Sequence, residues 1–426
     1  MKDYKEYFRG KKITVMGLGL LGRGVGDAIF LAEHGAELII TDLKSEEELA
    51  ESLEKLAHYP NITFHLGGHR EEDFKDRDMI LKSAGVPLDS SYIETARTEG
   101  IPIEMSSSLF AKLSPCTNIG ITGTRGKSTI THLLYEILKR AGKDVCLGGN
   151  VRGISTLAQL PKVTEKTIMV MELDSWQLQG FGEAKISPRV AVFTNLLPDH
   201  MNYYKGDMKQ YLNDKKNIFL YQKEGDLLVV GEVVSQILAP DLVNHRGKIL
   251  TARPQDVPSD WSPKLLGVHN RENIAHAMHA VSYFNIEKDS IREAVEEFSG
   301  VEGRLQCIRE INDVSFYNDT TATTPDATRA ALHALDDGTK RTILIMGGAD
   351  KELDAQALVA ELPEHVKAVV LLPGTGTNKV RNSFDLLHGI KIIDTSTMEE
   401  AVAKAYQFAE PGDRVLLSPA FASFGL

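Results

Sequence analysis

Short apolar runs alternate with amphipathic stretches along the whole chain, the pattern of parallel sheets whose strands are joined by covering helices. The run Lys11–Met16 leads into glycines and predicts a strand, followed by a helix over Arg23–His34 and a second strand in Ala36–Asp42. A third strand, Asp78–Leu81, ends in a loop at Ser83–Pro87. Ser114–Cys116 reads as a linker into a second unit, where Asn118–Gly123 predicts a strand running straight into a helix. In that helix Ile130, Leu133, Leu134, Ile137 and Leu138 fall on one stripe, and Gly142 supplies the stop. Strands at Thr167–Leu173 and Arg189–Asn195 follow, each with polar residues at its carboxyl end. After a break at Ser299–Gly303 a third unit carries strands at Val314–Tyr317, Arg341–Met346, Ala368–Leu372 and Arg414–Leu417. The expectation is three α/β domains in series, over residues 1–113, 114–300 and 301–426.

Composition narrows the class without choosing a function. With 42% hydrophobic and 25% charged residues the chain has the make-up of a soluble globular protein. The charged start MKDYKEYFRGKK does not read as a signal peptide, and no apolar run is long enough to predict membrane insertion. Three scattered cysteines make a disulfide framework unexpected and fit a reducing, cytoplasmic setting. A net charge of −11 argues against a general nucleic-acid surface.

The chemistry gathers at strand ends. Gly123-Thr124-Arg125-Gly126-Lys127-Ser128-Thr129 sits between a strand and a helix. Its glycines let backbone N–H groups turn towards phosphate oxygens, the helix N-terminus adds partial positive charge, and Lys127 adds a full one. Ser128 is placed to coordinate Mg²⁺. Ile121 stands where the strict P-loop pattern has its first glycine, so this is a variant loop. Glu172 ends an apolar strand where such enzymes place a magnesium carboxylate, whereas Asp174 reads equally well as a helix cap. His200 follows the next strand, and Lys215 lies fifteen residues on, a position that by itself reads as a surface helix lysine. Gly17-Leu18-Gly19-Leu20-Leu21-Gly22 matches GxGxxG after a strand, with Asp42 twenty residues past Gly22, a spacing that suits a dinucleotide or any nucleotide diphosphate. Further on, Asn270 and Asn273 open a helix, Asp319–Thr324 puts hydroxyls and a carboxylate after a strand, and Gly347–Lys351 and Ser418–Ala420 occupy other strand ends of the third domain.

In order and spacing GITGTRGKST, MELDSWQLQ, NLLPDHMNYY with its downstream lysine, LLGVHNREN, GRLQ and NDTTAT resemble the Mur ligase family, and the likeness spans the chain. The resemblance implies a Rossmann-like N-terminal domain for a UDP-linked muramoyl peptide, a central P-loop-type ATPase domain, and a Rossmann-like C-terminal domain for a free amino acid. It implies that Gly19, Leu20, Leu21, Gly22, Asp42, Ser83, Gly85, Asn150 and Asp174 hold the UDP substrate. ATP would be held by Gly123 to Thr129 with Asn270, Asn273, Arg304 and Asp319. Thr321, Thr323, Lys351 and Ser423 fall around the incoming amino acid. Ser128 and Glu172 match the ligands of one Mg²⁺, and His200 and a carbamylated Lys215 those of a second; Lys127, Glu172, His200 and Lys215 then carry catalysis. The implied reaction is ATP-dependent joining of a carboxylate to an amine in peptidoglycan precursor synthesis, by a monomer.

Four features depart from the family's pattern. Arg125 replaces an Asn, Asp174 a Ser, and Thr321 a lysine that helps bind the amino acid; the chain also stops at Leu426, so the C-terminal domain reads as truncated. Three other readings stay open on sequence. One is a folylpolyglutamate-type or pseudomurein-type ligase with another acceptor. A second is a nicotinamide-dependent oxidoreductase, which leaves GTRGKST unexplained, and the third is a nucleotide-binding protein that has lost activity.

Overall fold

The computed structural model describes residues 4–19, 22–151, 153–201, 203–350, 352–384, 387 and 389–422. Of the expected site residues, Leu20, Leu21, Lys351 and Ser423 lie outside them. Three sheets account for the strands. By compactness the chain divides into two units: Met1–Asp256 with Asn273–Ala294, and Val257–Glu272 with Val295–Leu426.

The first unit holds two wholly parallel sheets. In one, the strand order is Ile62–Leu66, Glu37–Asp42, Lys12–Met16, Met79–Lys82, Ile103–Glu104. The order reverses at Lys12–Met16, so the turns after Met16 and Lys82 meet at a topological switch point, where open α/β sheets bind ligands. In the other, the order is Lys248–Ala252, Leu227–Gly231, Val190–Phe193, Thr117–Thr122, Ile168–Glu172, Val145–Gly149. Strands Ile168–Glu172, Val190–Phe193 and Leu227–Gly231 are buried throughout because helices cover both faces. Helix Lys127–Arg140 turns its predicted stripe inward, with Ile130, Leu133, Leu134, Ile137 and Leu138 fully buried. Lys139 and Arg140 complement the dipole in its last turn. One apolar cluster runs from Phe8, Leu31 and Leu38 of the first sheet's layer to Leu157, Leu178 and Phe181 of the second's.

The second unit's sheet runs Gln306–Ile311, Val314–Asn318, Arg414–Ala420, Thr342–Gly347, Val366–Leu371, Lys391–Asp394. The first strand is antiparallel to its neighbour and the rest are parallel, which makes this a mixed sheet. Strand Thr342–Gly347 is buried at every position.

Candidate active site

Strand Thr117–Thr122 lies at the middle of the second sheet, between Val190–Phe193 and Ile168–Glu172, and its carboxyl end releases the phosphate-type loop. Two glycines there adopt backbone conformations that L side chains rarely reach: Gly123 at φ 136° and Gly126 at φ 86°. Both are also crowded. A methyl group on Gly123 would lie 1.9 Å from the Thr194 hydroxyl, and one on Gly126 would lie 2.4 Å from Asn273 Oδ1. The loop is gripped from the neighbouring strand end. Asn195 Oδ1 accepts from Arg125 N–H (2.8 Å) and Thr194 Oγ1 donates to the Arg125 carbonyl (2.6 Å). Thr124 Oγ1 bonds Leu197 O at 3.0 Å and lies 3.2 Å from the Tyr211 hydroxyl.

The expected catalytic residues meet around this loop. Lys127 Nζ donates to the carbonyls of Gly123 and Thr124, both at 3.0 Å. Ser128 Oγ donates to Glu172 Oε2 at 2.5 Å, and both residues are buried. Asn150 donates through its backbone N–H to Glu172 O (2.7 Å) and through Nδ2 to Glu172 Oε1 (3.5 Å). Lys215, expected from sequence alone to be a surface lysine, is 1% exposed and donates to Gly123 O at 2.9 Å. Burial, reinforced by the nearby Lys127 ammonium, drives its amine well below the usual lysine range. His200 adopts φ 56° and packs its ring 4.6 Å from Trp176; burial pulls its imidazole pKa down. Asp199 sits between it and Arg125, whose Nη1 is 3.5 Å from Asp199 Oδ2.

In the first sheet the switch-point turns touch: a methyl group on Gly17 would meet Ser83 Oγ at 2.6 Å. Asp42, expected to hold a ribose, binds the glycine loop to its own strand end. Its Oδ2 accepts from Leu18 N–H (2.8 Å) and Gly19 N–H (3.3 Å), its Oδ1 accepts from Lys44 N–H (3.0 Å), and it is 6% exposed. Gly22, at φ 77°, caps helix Arg23–Glu33. No heavy atom crowds a methyl group at Gly85. Asp174 takes the helix-cap role: its Oδ1 accepts from Gln177 N–H while Gln177 Oε1 accepts from Asp174 N–H, a full capping box.

In the second unit Asn270 Nδ2 donates back to Leu266 O at 2.8 Å. Asp319 is buried at the end of Val314–Asn318, where Ser418 Oγ donates to its Oδ2 (2.8 Å) and Leu305 N–H to its Oδ1 (3.0 Å). Burial pushes its carboxyl up to about 6, with the Arg304 charge among the opposing effects. Thr321, standing where the family has a lysine, donates its hydroxyl to Gly303 O at 2.8 Å. Thr323 follows in the same loop. Gly347, Gly348 and Gly374 bring three strand ends into backbone contact: a methyl on Gly374 would lie 2.1 Å from Gly348 O.

Several residues that organise the site carried weak sequence signals. Thr194 and Asn195 are a polar pair closing an apolar strand, and Tyr211 and Asp199 are unremarkable in sequence. Arg23 and Lys82 were also missed; Lys82 is a buried lysine whose Nζ donates to Val86 O at 2.9 Å, and burial lowers its pKa to about 8. Among the described residues a second group of metal-ligand types, His333, Glu361 and His365, lies on one helix pair, but Arg329 already holds both Glu361 oxygens.

The middle of the chain, residues 121–252, matches the model of the Mur ligase middle domain, residues 303–421 that of the Mur ligase glutamate ligase domain, and residues 11–104 that of the MurD-like N-terminal domain. Over a 461-residue alignment the chain is 38% identical to the UDP-N-acetylmuramoylalanine–D-glutamate ligase of Roseiflexus sp. (strain RS-1), covering 98% of this chain and 95% of that protein. The chain belongs to the Mur ligase family. A ligase of the same name from Clostridium kluyveri is 35% identical, with 100% of this chain and 95% of that one covered. Among solved structures, the fold is shared with Mur ligases: MurC of Thermotoga maritima has TM-score 0.63 at 20% identity, covering 97% of this chain and 96% of that one. MurF of the same organism, in complex with ADP, has TM-score 0.60 at 18% identity, covering 98% and 95%. The three-domain α/β architecture expected from sequence is thus that of the family, with a mixed rather than wholly parallel third sheet.

Proposed function

We propose that this protein is an ATP-dependent ligase that joins D-glutamate to UDP-N-acetylmuramoyl-L-alanine in peptidoglycan precursor synthesis. The reading is carried by the buried Ser128–Glu172 pair at the N-terminus of helix Lys127–Arg140, beside a loop whose glycines take positive φ. The D-glutamate assignment comes from the relatives that share the whole chain. The domains divide near residues 113 and 300, binding the UDP substrate, ATP and the amino acid in that order. The protein is read as a cytoplasmic monomer; separately, no helix among the described residues is long and apolar enough to cross a membrane.

The substrate carboxylate attacks the γ-phosphorus of ATP, the bond to the ADP oxygen breaks, and an acyl phosphate forms. The amine of the amino acid then attacks the acyl carbon and inorganic phosphate leaves. No protein nucleophile takes part, so rate comes from positioning and charge. Backbone N–H groups of Gly123–Thr129 and the helix N-terminus receive the phosphates, and Lys127 exchanges the Gly123 and Thr124 carbonyls for phosphate oxygens. Asn273 closes on the loop at Gly126; Asn270, Arg304 and Asp319 are assigned to the nucleotide by the family resemblance. Thr321, Thr323, Lys351 and Ser423 are assigned to the incoming amino acid by the family resemblance.

Ser128 and Glu172 offer hard oxygen donors that fit Mg²⁺. When bound, Mg²⁺ neutralises charge on the transferring phosphoryl group. The buried amine of Lys215, its pKa lowered chiefly by burial, is suited to carbamylation, which would convert it to an oxygen donor for a second ion together with His200. Lys127→Ala should abolish ADP release in the presence of UDP-muramoyl-alanine, D-glutamate and ATP; near-wild-type turnover in that variant would remove the phosphate-loop assignment.

A further inference from the structure

Helix Arg23–Glu33 opens with a guanidinium at its first position, where the positive end of the helix dipole is unfavourable to a cation. The partner that holds it there comes from the central domain. Arg23 Nη1 donates to Asn150 Oδ1, and Asn150 in turn donates through Nδ2 to Glu172 Oε1, while Glu172 Oε2 accepts from Ser128 Oγ. Chemistry fixes the direction of this chain. A guanidinium only donates and a carboxylate only accepts, so the residue between them must present an acceptor on one side and a donor on the other. An amide does this in one orientation, and Arg23 selects it.

The helix that carries Arg23 cannot drift. Asp27, one turn on, is buried and accepts from Ser106 Oγ (2.7 Å) and Ser155 Oγ (2.6 Å). At Gly26 the backbone comes so close that a methyl group would lie 2.7 Å from Ser155 Cβ. Arg23 also adjoins the glycine loop that ends at Gly22.

We propose that Arg23 is a positioning residue of the ligase: from the N-terminal domain it orients Asn150 so that Glu172 turns Oε2, beside the Ser128 hydroxyl, towards a divalent cation, and it thereby couples substrate binding by the N-terminal domain to metal binding at the phosphate loop. This rests on the ligase reading above. A substrate diphosphate that reaches the remaining guanidinium donors orders Arg23, so substrate tightens the metal and, by linkage, the metal tightens substrate.

The test uses the full chain with Mn²⁺ as a paramagnetic substitute for Mg²⁺, a non-hydrolysable ATP analogue, and electron paramagnetic resonance titrations with and without UDP-muramoyl-alanine. Arg23→Ala should weaken Mn²⁺ about tenfold, the scale of losing a partner that orients a metal ligand, and should abolish tightening by substrate. Arg23→Lys, which keeps a donor, should recover part of both, and Arg23→Met, which keeps the apolar stem, should recover neither. Arg97→Ala removes another bond between the same two domains, the 2.8 Å pair with Glu183, and should leave Mn²⁺ affinity unchanged. Arg23→Ala or Arg23→Met protein that binds Mn²⁺ within twofold of wild type would overturn the assignment. Wild-type protein that binds no Mn²⁺ with the analogue would overturn the ligase reading and this one with it.

Discussion

Asp27→Asn should stabilise the protein, and by an amount that depends on pH. The wild-type carboxyl is buried between Ser106 and Ser155 and its pKa is raised from 3.8 to about 6, chiefly by burial. A carboxyl whose native pKa lies above its unfolded value holds its proton more tightly when folded. Its contribution is therefore fully present below pH 3.8 and is lost as pH rises through about 6. The loss is about 3 kcal/mol by pH 8 and under about 1 kcal/mol at pH 4, at about 1.4 kcal/mol per pKa unit. Asparagine keeps an acceptor for both serine hydroxyls and carries no charge to bury. The variant should match wild type near pH 4 and unfold roughly 3–5 °C higher near pH 8, read by calorimetry across that range. A gap between the two proteins that is flat from pH 4 to pH 8 would refute the reasoning.

Two further expectations concern the phosphate loop. Gly126→Ala places a methyl group 2.4 Å from Asn273 Oδ1 at φ 86°; the left-handed backbone alone costs about 1–2 kcal/mol, so affinity for a non-hydrolysable ATP analogue should fall roughly five- to thirty-fold, and unchanged affinity by calorimetry would count against the loop geometry. Carbon-13 NMR in labelled bicarbonate should show a carbamate resonance that disappears in Lys215→Ala; a wild-type spectrum without it would remove the second metal site as drawn.

Sheet interiors were far more legible in sequence than sheet edges. The strands read directly, such as Thr342–Gly347 and Ile168–Glu172, are buried on both faces and spell near-continuous apolar runs. The ones not read include both edges of every sheet: Ile62–Leu66 and Ile103–Glu104, Lys248–Ala252 and Val145–Gly149, Gln306–Ile311 and Lys391–Asp394. An edge strand has one neighbour and often an exposed face, so Gln306–Ile311 carries polar residues at exposed positions and loses the apolar signature. The antiparallel edge of the third sheet went unread for the same reason. Leu227–Gly231 is a buried interior strand that was also missed, with no edge to excuse it.

The site followed a similar rule. Ser128, Glu172 and Lys127 were legible because a strand, a glycine turn and a helix place them in consecutive order. Lys215 was legible only through family resemblance: its helix, Met208–Lys216, has Lys216 as an equally plausible neighbour, and only the tertiary fold buries one amine against Gly123. The Arg23–Asn150–Glu172 chain joins positions 23, 150 and 172, and no local pattern links residues so far apart.

The central claim, that the substrate carboxylate is activated by phosphoryl transfer from ATP, is tested most directly by isotope. With UDP-muramoyl-alanine labelled with oxygen-18 in its free carboxylate, D-glutamate and ATP, each turnover should deliver one label into inorganic phosphate, read by phosphorus NMR. Product formed with no label in phosphate would contradict it.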